Sequence, residues 1–321
     1  MPHDLVALGE VMLRLAARPP ARLEQATTLD VQIGGAEANV AAACARLGLR
    51  TAIITALPAD QVWGDRTIRE LVAHGVDCGA VLRRPQSRMG VYFLEYGTGP
   101  RPVRVLYDRR HSAASQLDPM EIDWAMIRGA RLVHVSGVTA ALGDGARAVV
   151  RRALSEGRAA GVPISFDVNY RSRLWTPAQA RTFLDETLPL ASYLFVGADD
   201  AETVFGLSGA PEAVLEGLAR IAPAATIALT LGEAGSAVQA DGRVWRPSRL
   251  YQVVPIDRVG AGDAYAAGFL WATLSGGSPQ AATDAATALA ALKCTIWGDV
   301  ALVSRAELEE LLASDAGEIR R

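Results

Sequence analysis

Cysteine is scarce in this sequence, with only Cys44, Cys78 and Cys294 among 321 residues. The three are scattered and lack the short, repeated spacing by which cysteines bind a structural metal. Isolated cysteines of this kind are typical of the reduced thiols inside cytoplasmic proteins. The sequence therefore predicts buried, reduced thiols and a cytoplasmic location.

An excess of basic residues is also missing. The chain has 32 Lys and Arg residues against 35 Asp and Glu residues, a net charge of -3 and a pI of about 5.9. Proteins that bind nucleic acids or anionic membranes generally carry a positive field. The composition gives no reason to expect either partner.

Long apolar runs are absent as well. Residues 1–10 have neither the basic segment nor the apolar stretch of a secretory signal, and no later run free of charge reaches membrane-spanning length. Half of the residues are hydrophobic, which is enough to bury a large core. Without an internal repeat or a low-complexity linker, the chain is expected to form one large domain over residues 1–321, with a loose tail after residue 314.

Strands and helices alternate along most of the chain. Predicted strands at 132–136, 164–168, 193–196 and 225–230 are separated by helical segments. The same alternation begins earlier, and the chain closes with three helices, predicted at 263–274, 278–296 and 304–312. This pattern is typical of an α/β fold with a doubly wound, mostly parallel sheet.

Residues 88–108 interrupt that alternation. Two strand-like runs, 90–96 and 103–107, flank Gly97–Pro100 and predict a β-hairpin. Two short strands are also expected at 11–15 and 29–33, where Pro19 and Pro20 exclude a regular element after the first of them. We expect lid strands inserted at about 11–33 and 88–108 to form a small separate β-sheet over a pocket.

The stretch from Asp257 to Tyr265 carries the strongest chemical signal. Gly260-Ala261-Gly262 leaves its amides unshielded and runs into a predicted helix, so unpaired N–H groups and a helix dipole meet at one point. Such a point suits a phosphate oxygen. Asp263 is then a candidate base for a hydroxyl that attacks a phosphoryl group. The alternative is an ordinary tight turn before a helix, because short glycine motifs also occur by chance.

Four further polar clusters follow predicted strands. They are Gly34-Gly35, Asp167–Arg171, Asp199-Asp200 and Thr230–Gly235. Binding sites in open α/β sheets lie at the carboxyl ends of strands. These independent short signals point to one face of the sheet.

Two long motifs resemble a known family. Gly34–Gly48 resembles the N-terminal signature of the ribokinase-like (PfkB) carbohydrate kinases, and Asp257–Ala264 resembles their C-terminal signature. The motifs are far apart and in the family's order, and the resemblance covers nearly the whole chain. Four segments are most similar to the 2-keto-3-deoxygluconate kinases: 34–37, 107–113, 167–175, and 291–296 with Gly298-Asp299.

The resemblance implies a ribokinase-like fold and a role for each matched residue. Asp263 would be the catalytic base, and the amides of Gly260, Ala261 and Gly262 the anion hole. The implied substrate-binding residues are Gly34, Gly35, Asn39, Tyr92, Tyr107, Arg109, Asn169 and Arg171, of which the two arginines would hold a sugar carboxylate. The implied nucleotide-binding residues are Asp200, Thr230, Gly232 and Gly235.

These roles agree with the chemistry of the side chains. Phosphoryl transfer depends mainly on positioning and charge stabilisation, so exposed amides and one carboxylate are the parts required. Asp263 needs no raised pKa, because the attacking hydroxyl becomes acidic late in the reaction. Arg109 and Arg171 offer planar forks that match a carboxylate, which a neutral sugar lacks.

Each role has a simpler competitor. Arg109 and Arg171 are equally explained as solvated surface residues, and Tyr92 and Tyr107 as aromatic residues packed across strands. His134 lies in an apolar strand and is expected to be structural. His111 is left without a role.

Four positions, in three segments, depart from the family's pattern. Gly197-Ala-Asp-Asp200 stands where the family often has Asn-x-x-Glu, Arg258 replaces Thr or Pro, and Trp297 replaces Pro. These changes leave the magnesium site, the nucleotide affinity and any monovalent-cation effect open.

The leading hypothesis is a kinase that uses ATP and Mg²⁺ to phosphorylate the terminal hydroxyl of 2-keto-3-deoxygluconate. The alternatives are a kinase for fructose, ribose or 2-keto-3-deoxygalactonate, and a sugar-binding regulator without turnover. A lid sheet with an apolar face or edge needs cover, so a homo-oligomer, a dimer or higher, is expected.

Overall fold

Two β-sheets organise the computed structural model, which describes residues 2–97 and 100–314. Their strands are β1 (Leu5–Leu8), β2 (Met12–Ala17), β3 (Asp30–Gly34), β4 (Thr51–Pro58), β5 (Val76–Asp77), β6 (Val81–Arg84), β7 (Gly90–Glu95), β8 (Arg104–Asp108), β9 (Val133–Ser136), β10 (Ile164–Asp167), β11 (Tyr193–Gly197), β12 (Thr226–Thr230), β13 (Ser236–Ala240) and β14 (Arg243–Trp245). The large sheet has the order β14-β13-β12-β11-β10-β9-β1-β4-β5, with β6 also paired to β4. Its pairs from β4 to β12 are parallel, and β13 and β14 add an antiparallel edge.

Helices cover both faces of the large sheet. They are α1 (Ala36–Arg46), α2 (Val62–Ala73), α3 (Trp124–Arg128), α4 (Gly137–Ala140), α5 (Asp144–Ala159), α6 (Pro177–Thr187), α7 (Ala198–Phe205), α8 (Pro211–Ile221), α9 (Ala261–Leu274), α10 (Pro279–Cys294) and α11 (Arg305–Ala313). Strand β1 alternates between two cores: Val6 and Leu8 face the one that includes α5, whereas Leu5 and Ala7 face the one that includes α1 and α9. The doubly wound arrangement predicted from the sequence is confirmed.

The small sheet has the order β3-β2-β7-β8 and corresponds to the predicted lid. Strands β7 and β8 form the expected antiparallel hairpin, and β2 joins β7 in parallel. Thr98 and Gly99 of the predicted turn lie outside the described residues. Strand β2 continues to Ala17, further than the sequence indicated, because only Pro19 and Pro20 interrupt the chain.

Several local expectations require correction. Helix α9 begins at Ala261 rather than Asp263, and α10 ends at Cys294 rather than at residue 296. Strands β5 and β6 and helix α3 are short, and the sequence did not indicate them. All three cysteines are free, but only Cys44 is buried, whereas Cys78 and Cys294 are half-buried. Within residues 2–97 and 100–314, no helix combines the length and apolar character needed to cross a membrane.

Candidate active site

The turn at Gly260–Gly262, called the anion turn below, leads directly into helix α9. Gly260 has φ 84°, and a Cβ there would lie 2.1 Å from the carbonyl oxygen of Asp299, so only glycine fits. The first intrahelical bond runs from the Ala264 amide to the Gly260 carbonyl (2.9 Å), and the Ala261 amide donates to Arg258 (3.2 Å). The amides of Gly262 and Asp263 precede that first bond and lie at the positive end of the helix dipole. The turn is therefore suited to an anionic oxygen.

Asp263 lies in the first turn of α9 and is bound by a residue of the other signature. The Nδ2 of the buried Asn39, on α1, donates to Asp263 Oδ2 at 2.7 Å. Burial raises the pKa of Asp263 to about 7, and the Asp299 carboxylate acts in the same direction. The hydrogen bond from Asn39 and the charge of Arg171 counteract part of that rise. The sequence-based mechanism did not require a raised pKa, but the fold supplies one in the range of a working base.

Asp167 is coupled electrostatically both to Asp263 and to a third carboxylate, Asp200. Burial raises the pKa of Asp167 well above its usual range, and the charges of Asp263 and Asp200 add to the rise. Burial also raises the pKa of Asp200, which accepts a hydrogen bond from the Tyr170 amide at 3.0 Å. Arg171 lowers the pKa of all three carboxylates. Its guanidinium is therefore the cation of this part of the site.

Asn169 shapes the chain between Asp167 and Arg171. It has a left-handed backbone, with φ 41°, directly after strand β10. Its Nδ2 donates to Asp167 Oδ2 at 3.4 Å. Asn is one of the few residues other than glycine that adopt this backbone readily. In this structure, Asn169 therefore contacts Asp167, and its contact with a substrate remains a prediction.

The carboxylates fit a magnesium ion that is held mainly by its nucleotide. Among the described residues, no group of three or more His, Cys, Asp or Glu side chains could hold a metal ion. Mg²⁺ commonly takes one or two carboxylates and completes its shell with water and phosphate oxygens. Asp167 and Asp200 are oxygen donors whose mutual repulsion a divalent cation would relieve.

The two arginines that are predicted to bind the carboxylate of the sugar line one cavity. Arg109 and Arg171 lie around a volume of about 180 Å³ together with Tyr107 and residues 172–174. Arg109 is also paired with the buried Glu10, to which its Nε donates at 2.8 Å, and its guanidinium lies 5.4 Å from the centre of the Tyr107 ring. Arg109 is thus a buried residue with a fixed partner, and the solvated-surface alternative is wrong for it.

Tyr92 and the two early glycines pack tightly beneath the lid. Tyr92 is buried, donates its hydroxyl to Asp299 and lies opposite Tyr107 with 5.8 Å between ring centres. A Cβ at Gly34 would lie 2.5 Å from the Tyr92 hydroxyl, and one at Gly35 would lie 2.2 Å from the Glu10 carbonyl. These residues therefore have packing roles in this structure. Their contacts with a sugar remain predictions.

The predicted nucleotide residues gather on the neighbouring strands. Thr230 ends β12 and lies in register with Gly197 of β11. Gly197 directly precedes α7, and Asp200 lies in the first turn of that helix. Gly232 and Gly235 have positive φ angles of 61° and 89°, so the loop after β12 needs glycine at both positions. The loop after β12 contacts both sides of the anion turn, because Arg258 donates to Glu233 at 2.7 Å and the Tyr265 hydroxyl donates to that of Ser236 at 2.8 Å. Their contact with a nucleotide remains a prediction.

A buried charge network beneath the anion turn was not predicted from the sequence. Arg14 of β2 has no exposure and donates to Asp257 at 2.5 Å, to Asp299 and to the Tyr96 hydroxyl. Its guanidinium lies 5.7 Å from the centre of the Trp297 ring, which explains the tryptophan at that position. The available signal was a lone arginine within an apolar strand. We call Arg14, Asp257, Asp299, Tyr92 and Tyr96 the Arg14 network.

His134 and His111 lie in different surroundings, one buried and one exposed. His134 is fully buried, with Nδ1 2.8 Å from the Ser165 hydroxyl, and burial lowers its pKa to about 3. The prediction of a structural histidine is confirmed. His111 is exposed and has a left-handed backbone, with φ 57°.

Comparison with known proteins agrees with this geometry. Residues 2–303 match the pattern described as pfkB family carbohydrate kinase. The 2-dehydro-3-deoxygalactonokinase of Haloferax volcanii is 35% identical, with 99% of each chain covered. The 2-dehydro-3-deoxygluconokinase of Thermoproteus tenax is 33% identical, with 96% of this chain and 94% of that protein covered.

A solved structure shows the same fold. The crystal structure of 2-dehydro-3-deoxygluconokinase from Thermotoga maritima superposes with a TM-score of 0.92 at 35% identity, covering 98% of this chain and 99% of the other. Both signatures, the lid and the site are thus found in one chain that matches this family over nearly its full length. The chain belongs to the pfkB family of carbohydrate kinases.

Proposed function

We propose that this kinase transfers the terminal phosphoryl group of ATP to the terminal hydroxyl of 2-keto-3-deoxygluconate, also called 2-dehydro-3-deoxygluconate. The observation that carries the proposal is that the chain has both a candidate base, Asp263, and two arginines suited to bind a carboxylate, Arg109 and Arg171. Asp263 lies at the anion turn, and Arg109 and Arg171 line one cavity. The charge of Arg171 acts on Asp263 itself. A sugar acid held by the arginines at one end can therefore present its other end to Asp263.

The reaction is an in-line transfer. Asp263 accepts the proton of the terminal hydroxyl as that oxygen attacks the γ-phosphorus of ATP. The bond between the γ-phosphorus and the β–γ bridging oxygen breaks, and ADP leaves. The amides of Gly260 and Gly262 would stabilise the charge on the transferred group. The Ala261 amide would join them only by giving up its bond to the Arg258 carbonyl.

The nucleotide and its metal belong to the proposal. The loop with Thr230, Gly232 and Gly235 would carry the nucleotide, and Asp200 would act at its phosphates together with Asp167. Mg²⁺, when bound, neutralises phosphate charge. Asp200 is shorter than the Glu expected at this place, but its fixed bond to the Tyr170 amide holds the carboxylate toward Asp167 and Arg171.

Two epimeric sugar acids are the closest candidates. The relatives of 35% and 33% identity carry the galactonate and gluconate names respectively. Both substrates have the same carboxylate and the same terminal hydroxyl, so the arginines and Asp263 serve either one. We place the gluconate form first because the fold neighbour with a TM-score of 0.92 bears that name.

ADP release with ATP and Mg²⁺ tests the proposal. The panel contains 2-keto-3-deoxygluconate, 2-keto-3-deoxygalactonate, fructose and ribose. Asp263→Asn is compared with Asp144→Asn, whose carboxylate is fully exposed and remote from the turn. We expect turnover on the keto acids that is lost only in Asp263→Asn. Turnover confined to fructose or ribose would contradict the role of the arginines. Sugar binding without any turnover would favour a regulator.

An assembly through the lid is part of the same proposal. On the face of the lid sheet opposite Arg14 and Tyr92, Leu15, Val31 and Phe93 are half-buried and Leu106 is 47% exposed. Such a face is costly to leave in water. We propose that it pairs with a second copy of this chain, in a cytoplasmic enzyme. Sedimentation of the wild type and of Leu106→Glu tests this, with a monomeric wild type as the contrary result.

A further inference from the structure

Lys293 is the sole lysine of the chain, since 31 of the 32 basic residues are arginine. It lies in the last turn of α10 and has no solvent exposure. Its ammonium donates to the carbonyl oxygen of Asp257 at 3.0 Å and to that of Ile296 at 3.3 Å. Where every other basic position carries a planar guanidinium, a compact ammonium occupies this enclosed point.

The two carbonyls belong to segments that meet at the anion turn. Asp257 precedes the turn, and Ile296 belongs to the segment that follows α10. The Asp257 amide donates to the Cys294 carbonyl at 3.2 Å, and the Gly298 amide donates to Asp257 Oδ2 at 3.0 Å. Gly260 packs directly against the Asp299 carbonyl. Residues 294–299 therefore support the anion turn from below, and Lys293 joins the two segments.

Charge neutrality makes this buried ammonium tenable. Burial lowers the pKa of Lys293, whereas the carboxylates of Asp257 and Asp299 raise it. The same two carboxylates bind Arg14. Two cations and two carboxylates are thus enclosed together, and removing either cation would leave an uncompensated buried charge.

Two backbone carbonyls, those of Asp257 and Ile296, converge on the ammonium of Lys293. Backbone carbonyl oxygens can also bind a monovalent metal ion, as in potassium channels, where they replace the hydration shell of the ion. In this protein, the ammonium group of Lys293 is the monovalent cation that binds the two carbonyl oxygens. It cannot dissociate, because it is covalently attached to α10.

We propose that Lys293 is a positioning residue for phosphoryl transfer. Its fixed ammonium holds the anion turn in its working geometry and makes the enzyme independent of dissolved monovalent cations. The inference rests on the proposed kinase function. It adds which residue holds the amides of the anion turn in position, namely Lys293.

Turnover in different salts tests the proposal. Wild type, Lys293→Ala and Lys293→Met are assayed with ATP, Mg²⁺ and the sugar acid in potassium, ammonium or tetramethylammonium chloride at equal ionic strength. We expect equal wild-type rates in all three salts. Lys293→Ala should lose roughly 10- to 100-fold in kcat with little change in sugar KM, because displaced amides act mainly on the transition state. Ammonium or potassium should restore much of this loss in Lys293→Ala, but not in Lys293→Met, whose side chain fills the space.

A second arm does not depend on turnover. Isotope-labelled lysine gives a single side-chain NMR signal in this protein, which reports the charge of Lys293 directly. We expect the ammonium form at pH 7 and a wild-type melting temperature that is equal in potassium and tetramethylammonium. A wild type that potassium activates or stabilises, or a neutral Lys293, would overturn the inference. If no sugar is phosphorylated, the proposed function fails while this arm still decides the role of Lys293.

Discussion

The guanidinium of Arg14 donates to the carboxylate of Asp257 at 2.5 Å, although neither side chain has any exposure to solvent. Arg14 belongs to lid strand β2, and Asp257 opens the loop that ends in the anion turn. The lid and the phosphate-binding element are therefore joined by a buried ion pair. Asp299 extends the link, because it binds both Arg14 and Tyr92 of the lid.

Replacing Arg14 by Ala should destabilise the protein strongly. Asp257 and Asp299 would remain buried without their cation, which typically costs about 3–5 kcal/mol. Arg18→Ala is the control, because Arg18 lies on the same side of the lid, is 80% exposed and pairs with Asp30. Such exposed pairs contribute little to stability, because water and salt screen them. Thermal unfolding measures both, and equal melting temperatures for the two variants would argue against the buried pair.

The rate should fall in acid with the titration of Asp263. Its pKa is raised to about 7, and only the carboxylate form can accept the proton of the hydroxyl. We therefore expect kcat/KM to decline as pH falls through about 7 and to level off above it, since this parameter reports the free enzyme. A profile of kcat/KM between pH 5 and 9 measures this. A rate that is flat down to pH 5 would mean that Asp263 is not the base.

Asn39→Ala should move that acid limb to higher pH. The hydrogen bond from Asn39 stabilises the charged form of Asp263, so its loss raises the pKa further. A smaller part of the enzyme is then active at neutral pH, while the rate at high pH recovers toward wild type. Asn39→Ser, which keeps a donor, should lie between the two. An unmoved limb with a uniformly lower rate would give Asn39 a role in sugar binding alone.

Arg171→Ala should discriminate between acidic and neutral sugars. A lost charged bond to a bound carboxylate typically costs about 2–5 kcal/mol, whereas a neutral sugar has no such bond to lose. Arg173→Ala is the matched control, because Arg173 lines the same cavity but is exposed. The measurement is kcat/KM for the keto acid and for fructose. Arg109 is less suited to this test, because its removal also strands the buried Glu10.

Gly260→Ala should impair both stability and turnover. Gly260 and Gly276 have the same φ of 84°, but a Cβ at Gly260 meets the Asp299 carbonyl at 2.1 Å, whereas nothing lies within 4 Å at Gly276. Gly276→Ala therefore measures the backbone strain alone, about 1 kcal/mol or more. The additional loss in Gly260→Ala is the cost of the clash. Equal melting temperatures and rates would mean that the turn yields easily.

Much of the fold and part of the site follow from the sequence. The alternation of strands and helices predicts the doubly wound sheet, and the hairpin predicts the lid, because both signals are local and periodic. The Gly260-Ala261-Gly262 turn, with Asp263 beside it, indicates an anion hole because that signal is also local. The order of the strands at the sheet edge near β5 and β6 was not predictable, since those strands are too short to carry a pattern.

Only the tertiary structure decided how the site is held together. Arg14 and Asp257 are 243 residues apart, and Lys293 bonds to backbone carbonyls whose identity no side chain reveals. The raised pKa of Asp263 likewise arises from burial by elements distant in sequence. The chemical groups that are available, and their local spacing, can be taken directly from the sequence. Which charges become buried together depends on long-range packing, and here that packing fixed the cations beneath the anion turn.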